Sequence, residues 1–191
     1  GKILVCTTEG GLFEFYKNQL IPIEFENQEI DRIRNAHVAG GKLHLATRSG
    51  ILVTADLKTF EFLDAAGSGS FSDITGNDKY LVFSKFKELL FVLNRQSGVM
   101  KSYSFPGRKI LGCYLDCQNQ VWVNTGKGIL RIKENGEQLT INNASGLPIQ
   151  MISCFFQDSN SNMWIGSKGK GMFRFPGLSF QFFDESSGYQ T

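Results

Sequence analysis

The chain has 191 residues, a formal net charge of +2, 41% apolar residues and 20% charged residues. That length suits one domain with a substantial core, and the near-neutral balance gives no general attraction to nucleic acid, a membrane surface or another polyanion. No apolar run reaches the roughly 18 residues needed to cross a bilayer. With no signal peptide, no initiating Met and Gly1 ahead of Lys2, the chain reads as an excised piece of a longer protein.

Seventeen Phe and 21 Gly against 4 Pro favour short strands joined by tight turns. The first strand in chain order is Lys2-Ile-Leu-Val-Cys-Thr7, and its pattern returns four times without gaps. The later copies are Lys42-Leu-His-Leu-Ala-Thr47, Lys79-Tyr-Leu-Val-Phe-Ser84, Gln120-Val-Trp-Val-Asn-Thr125 and Asn162-Met-Trp-Ile-Gly-Ser167. Successive copies start 40, 37, 41 and 42 residues apart, and each ends on a hydroxyl: Thr7, Thr47, Ser84, Thr125, Ser167. A period near 40 residues is that of a four-stranded propeller blade.

The flanks repeat as well. A polar turn precedes the strand at Gly40-Gly41, Gly76–Asp78, Asp116–Asn119 and Asp158–Ser161. Ahead of that turn lies a β-rich run, such as Ile110–Leu115 or Met151–Phe156. After the strand comes a glycine and an apolar residue: Gly11-Leu12, Gly50-Ile51, Gly128-Ile129, Gly171-Met172. A last run alternates apolar and polar residues, as at Ile21/Ile23/Phe25, Phe60/Phe62, Tyr103/Phe105, Leu139/Ile141 and Phe180/Phe182, which marks an outer strand with one wetter face.

The repeated strand is almost continuously apolar, so both of its faces are expected to be covered, as between packed blades. Trp122 and Trp164 then read as packing residues between blades, and His44, in the same column, as a core histidine. The predicted fold is all-β: a β-propeller of about five four-stranded antiparallel blades, part of a larger propeller. Blades are placed at 1–27, 28–65, 66–106, 107–143 and 144–191. About nineteen strands are expected, the first blade lacking its innermost one, with no helix beyond a single turn. Phe83 to Leu93 carries a near-helical apolar period, but the repeat register makes it a hairpin with an atypical turn at Lys85-Phe-Lys-Glu88.

Cys6, Cys113, Cys117 and Cys154 form no C-x-x-C pair, and only two His accompany them, so no metal site is predicted. Cys6, Cys113 and Cys154 lie in apolar runs and read as small buried hydrophobes. Cys113 and Cys117 would stand about 13 Å apart on an extended strand, beyond the roughly 7 Å limit for a bridge, and all four thiols are expected to be free. Asp158-Ser-Asn-Ser-Asn162 imitates a calcium loop but has Met163 at the sixth place and Gly169 at the twelfth; it reads as a hairpin turn. Gly166-Ser-Lys-Gly-Lys-Gly171 imitates a phosphate loop but lacks the Gly-Lys-Ser/Thr ending and a following helix. No nucleophile–base set recurs, and no cofactor is expected.

Gly146-Leu-Pro-Ile149, Gln157-Asp-Ser-Asn-Ser-Asn-Met-Trp-Ile-Gly-Ser167 and Gly171-Met-Phe-Arg-Phe175 resemble the two-component regulator propeller repeat. Asp116, Asn119, Val121-Trp-Val123, Thr125 and Gly128-Ile-Leu-Arg-Ile132 resemble it less closely, and the first three copies are joined to it by register alone. Asn162, Asn119, Asn124 and His44 depart from its commonest residues. The resemblance implies a propeller in the periplasmic sensor region of a bacterial hybrid two-component histidine kinase and response regulator, a class often tied to carbohydrate or glycan use. It further implies that the remaining blades and C-terminal signalling domains belong to the parent protein. This segment itself is expected to be no enzyme and to make no membrane or nucleic-acid contact.

The turn after the repeated strand carries Arg48, Lys85, Lys87, Lys127, Lys168 and Lys170, with Glu9, Asp184 and Glu185 on or near the same face. Arg48, Lys127 and Lys168 are the candidate contacts for an acidic oligosaccharide. The expected function is a ligand-sensing segment, the alternatives being a propeller scaffold for protein–protein interaction and a propeller lyase or hydrolase. A homo-oligomer that shields the end blades is the remaining partner expectation.

Overall fold

The computed structural model describes residues 2–9, 11–26, 30–85, 88–142, 147, 152–169, 171–176 and 181–183. Among them are nineteen strands and a single 3-10 turn at Asp64–Ala66. The strands form five antiparallel meanders in two compact units, 1–104 and 105–191.

In the first unit, β1 (Ile3–Cys6), β2 (Leu12–Tyr16) and β3 (Gln19–Pro22) make a three-stranded blade, without the innermost strand as expected. Next come β4 (Asn35–Ala39), β5 (Lys42–Ala46), β6 (Ile51–Thr54) and β7 (Glu61–Phe62), then β8 (Phe71–Gly76), β9 (Tyr80–Lys85), β10 (Leu89–Asn94) and β11 (Met100–Ser104). The second unit holds β12 (Gly112–Leu115), β13 (Val121–Asn124), β14 (Ile129–Ile132) and β15 (Gln138–Ile141), followed by β16 (Ile152–Gln157), β17 (Met163–Ser167), β18 (Met172–Phe175) and β19 (Gln181–Phe183). The ambiguous Phe83–Leu93 stretch is the β9–β10 hairpin, in register from Tyr80↔Asn94 to Lys85↔Leu89. Its turn residues Phe86 and Lys87 lie outside the described residues.

Blades stack face to face because both faces of their middle strands are apolar. Leu4, Cys6 and Leu12 of the first blade pack on Leu43, Leu45, Leu52 and Phe60 of the second. On the second blade's other face, Ala46, Ile51 and Val53 meet Phe71, Leu81 and Phe83 of the third. In the second unit Trp122, Ile129, Ile141 and Tyr114 of the fourth blade meet Met163, Ile165, Phe173 and Phe175 of the fifth. The polarity is the same at each step: alternate residues of the repeated strand face the blade before and the blade after. Backbone and side-chain hydrogen bonds lock neighbours too, including Asn124 Nδ2 to the Ile152 carbonyl at 3.1 Å and Asn35 to Asp73.

The recurring hydroxyl and the recurring glycine are one device. The backbone N–H and the hydroxyl of the same residue both donate to the glycine carbonyl across the turn. The pairs are Thr7 to Gly11, Thr47 to Gly50, Thr125 to Gly128 and Ser167 to Gly171, with hydroxyl distances of 3.4, 2.8, 2.9 and 2.9 Å. Each clasp closes the hairpin between the second and third strands of its blade.

Ser84 does not join them. It lies inside β9 with its Oγ 2.8 Å from Ser72 Oγ, and the faces show why. Leu81 and Phe83 point to the preceding blade, as Leu43 and Leu45 do, so Lys85 rather than Ser84 occupies the clasp position. The gapless alignment slips by one residue in this copy. Lys85 instead donates to the Ser68 carbonyl, upstream of β8, at 2.7 Å.

All four cysteines are free. Cys113 is buried and Cys6 half-buried, but Cys154, expected to be buried, is exposed with Cys117. It lies on the face of β16 turned away from the fourth blade, which nothing among the described residues covers.

Two substitutions test the clasp. Thr47 is buried and also accepts the Gly50 N–H at 3.1 Å, so Thr47→Val, isosteric but without the hydroxyl, is expected to cost about 1–2 kcal/mol in urea unfolding. Gly128 has φ +131°, and a Cβ there would sit 2.7 Å from the Ile141 carbonyl oxygen. Gly128→Ala is therefore expected to cost at least about 1–3 kcal/mol by the same measurement.

Candidate functional site

In the fourth and fifth blades the polar turn before the repeated strand is built around one carboxylate. In the fourth blade Asp116 Oδ1 accepts the N–H of Gln118 at 3.0 Å and of Gln120 at 2.7 Å. Its Oδ2 accepts the Trp122 indole N–H at 2.9 Å. The fifth blade repeats this: Asp158 Oδ1 takes the amides of Asn160 and Asn162, and Oδ2 takes the Trp164 indole N–H at 2.9 Å. The Trp164 indole and then Asn162 hold the Asp158 carboxyl below the usual carboxylate range. The calcium-like stretch is thus an Asx turn whose carboxylate is engaged by its own hairpin.

Across the strand pair each Trp has an Arg partner. Arg131 is opposite Trp122, and Arg174 opposite Trp164, with guanidinium carbons 5.2 and 5.9 Å from the rings. Arg131 also stands 5.7 Å from the Phe175 ring, so it is sandwiched where the fourth and fifth blades meet. Asp, Trp and Arg of the repeat therefore form a cap, a spacer and a stack. Trp122 packs between blades at 2% exposure, as expected. Trp164 is half-buried, with Phe183 at 5.7 Å.

His44 is buried in the second blade and faces the third. Its Nδ1 donates to the Lys42 carbonyl at 3.1 Å. Burial, then the Arg95 charge, lowers its pKa to about 4. His37, its cross-strand partner, donates from Nε2 to the Gly76 carbonyl of the third blade at 2.7 Å. Both imidazoles are engaged by backbone carbonyls, and the bond from His37 joins the second blade to the third.

The nominated cations sit on the clasped turns. Arg48 directly follows Thr47, Lys168 directly follows Ser167, and Lys127 lies two residues after Thr125. All three are exposed, and among the described residues none has an ion-pair or hydrogen-bond partner. In the second unit Lys127 and Lys168 hold equivalent turns of adjacent blades; Arg48 belongs to the first unit. Ser49, beside Arg48, donates to Asp31 at 3.3 Å. Lys170, Asp184 and Glu185 lie outside the described residues. A depression of about 190 Å³ lined by Lys42, Thr54, Asp56, Thr59 and Glu61 lies at the other end of the second blade from Arg48. Its Asp56 carboxylate is engaged by the amides of Lys58 and Thr59 and by two threonine hydroxyls, which hold it far below the usual range.

Five antiparallel meanders, stacked with the same polarity within each unit, are the blades of a β-propeller. Residues 146–169 match the two component regulator propeller model, so the chain carries that repeat in its fifth blade. Solved structures agree on the fold. The extracellular domains assigned to the hybrid two-component systems BT3049 and BT4673 of B. thetaiotaomicron give TM-scores of 0.71 and 0.73, at 16% and 20% identity. Each alignment covers 95% of this chain, which spans 28% and 26% of those domains. A virginiamycin B lyase of Staphylococcus aureus gives 0.73 at 13% identity, covering 96% of this chain and 66% of the lyase. No curated protein matches the chain. Among the described residues no helix is long and apolar enough to cross a membrane.

The depressed pKa of His44 has a consequence for stability. As pH falls, the unfolded chain protonates this imidazole near pH ~6.5, whereas the folded chain resists until about 4. The stability it contributes is full above pH ~6.5 and is lost as pH falls through that window. Urea unfolding across the window is expected to show less pH dependence for His44→Asn than for the wild type.

Proposed function

We propose that the chain is a ligand-sensing propeller segment of a hybrid two-component sensor histidine kinase, acting outside the cytoplasm, in the periplasm, and without catalysis of its own. The observation that carries this reading is the two-component regulator repeat at residues 146–169. The likeness, over 95% of the chain, to extracellular domains assigned to two hybrid two-component systems supports it. The chain spans little more than a quarter of those domains, so the remaining blades and the kinase would be supplied by the parent protein.

The proposed ligand is an acidic or sulfated oligosaccharide. Lys127 and Lys168, on adjacent blades of the second unit, are its contacts there, and Arg48 is a separate candidate contact on the first unit, each presented on a turn held rigid by its hydroxyl clasp. A rigid, exposed cation loses little side-chain freedom at its root when it meets a sulfate or carboxylate, and it attracts such groups in a salt-dependent way. Signalling follows if the ligand binds one packing of the blades more tightly than another, because only differential affinity moves that equilibrium. The polar groups that recur in the repeat support a non-catalytic role. Asp116, Asp158, His37 and His44 are each engaged by amides, indoles or carbonyls that hold the fold together.

Calorimetry with a sulfated disaccharide and its unsulfated counterpart, at low and high salt, tests the reading. Binding of the sulfated sugar is expected to weaken with salt, each of Lys127→Ala and Lys168→Ala weakening binding on the second unit, and Arg48→Ala binding on the first, about two- to fivefold. Tight, salt-independent binding of the neutral sugar would exclude the cationic turns as the site. Release of a cleaved product would overturn the non-catalytic assignment.

A further inference from the structure

The repeat places an arginine on the third strand of each of the last two blades, and the two are served differently. In the fifth blade Arg174 is held at both terminal nitrogens, one donating to Asn162 Oδ1 and the other to Gln181 Oε1, each at 3.0 Å. Asn162 is its diagonal neighbour, two residues before Trp164, and Gln181 its cross-strand one. The fourth blade has Gln120 in the first of these positions and Leu139 in the second. Leucine offers no acceptor, and Gln120 Oε1 makes no hydrogen bond although it is shut off from solvent.

Arg131 is left with aromatic rings alone. Its guanidinium carbon stands 5.2 Å from the Trp122 ring and 5.7 Å from that of Phe175, and among the described residues no atom accepts a hydrogen bond from it. Its Nε is buried, as is that of Arg174. Arg131 as a whole is only half-buried, however, and Leu139 beside it is 46% exposed, so the terminal nitrogens are the part that an outside acceptor can reach. The neighbouring carboxylates are committed elsewhere, Asp116 to its turn and the Trp122 indole, Glu137 to Lys133. A planar fork of N–H donors, oriented by aromatic rings and unpaired, suits an oxyanion better than a solvated lysine does.

We propose that Arg131 and Gln120 form a binding site for a hydroxy-carboxylate, carried by a uronate sugar or by a small hydroxy acid. The planar carboxylate takes the two terminal nitrogens of Arg131 side by side. Gln120, an unbranched side chain at the edge of the same stack, turns its orphaned carbonyl to accept from the adjacent hydroxyl, which removes the cost of burying it unpaired. Leu139 offers apolar surface to the C–H face of a sugar ring. The ligand supplies Arg131 with what Asn162 and Gln181 supply to Arg174. The site lies roughly 10 Å along the hairpin from Lys127 and does not depend on the cationic turns.

An NMR titration of the arginine Nε–Hε signals tests the site, the Arg131 signal being the one that Arg131→Lys removes. Glucuronate is expected to shift that signal saturably. Acetate and glucose, each holding half of the required chemistry, are expected to bind at least about fivefold more weakly. Lactate serves to distinguish the sources: weaker binding than glucuronate assigns the site to sugars, and equal binding assigns it to small hydroxy acids. Two variants locate the contact, and circular dichroism checks that each keeps its fold. Gln120→Asn combined with Leu139→Gln installs the fifth blade's own partners around an intact Arg131, and Arg131→Lys keeps the charge without the fork. Each is expected to weaken glucuronate binding about tenfold, read on the backbone amide signals, while Lys127→Ala leaves it unchanged. No shift of the Arg131 signal with glucuronate overturns the proposal. So does an equal shift with acetate, or with chloride at matched ionic strength, or binding that survives unchanged in both variants.

Discussion

A four-stranded sheet with apolar side chains on both faces cannot stand alone in water; each face must be covered, and here the cover is another copy of the same sheet. That requirement orders the rest of the structure. It makes the repeated strand continuously apolar instead of alternating, so that Leu43 and Leu45 meet one neighbour while His44 and Ala46 meet the other. It also leaves polar chemistry only at strand ends and in turns, where backbone groups need partners that the sheet does not provide. The hydroxyl–glycine clasp and the Asp–Trp turn answer that need at opposite ends of the same strand.

Buried polar groups in the cores follow from the same demand. Trp122 offers a large apolar surface but brings an indole N–H into a dry interface, and Asp116, itself buried, takes it while also tying down two turn amides. Removing the carboxylate would leave the indole N–H and the turn amides without partners at once, the costly direction for any buried hydrogen bond. In the second blade His44 stands in the tryptophan column, and the Arg95 charge across the interface, with burial, keeps it neutral. The column tolerates either ring because each buried N–H finds an acceptor, Asp116 for Trp122 and the Lys42 carbonyl for His44.

Most of this was legible in the sequence because period, polarity and turn chemistry are local properties. The count of strands, the missing first strand, the β9–β10 hairpin and the Asx turn at Asp158 all followed from residues within one repeat. Two things did not. The third copy slipped by one residue because its strand is apolar on both sides of Phe83, so alternation gave no anchor and Ser84 supplied a false one; only the pairing of faces shows that Lys85 holds the clasp position. The exposure of Cys154 and the half-burial of Trp164 were illegible for a different reason. Trp122 and Trp164 sit in nearly identical local sequences, and what separates them is whether a further blade lies on that face.

The same distinction bears on where recognition can reside. Side chains that define the repeat are engaged: carboxylates by amides and indoles, imidazoles by carbonyls, hydroxyls by glycine carbonyls. A group held in that way is a poor acid, base or ligand contact, because using it means releasing a partner that the hairpin needs. The exposed cationic side chains between the clasp partners carry no such duty. Arg48, Lys127 and Lys168 sit inside closed turns whose backbone is fixed by Thr47, Thr125 and Ser167, and their side chains vary from copy to copy without touching the packing. A propeller built this way can change what it recognises by altering turn residues while the blade interfaces stay as they are. For the same reason, the repeat that identifies the fold is silent about the ligand.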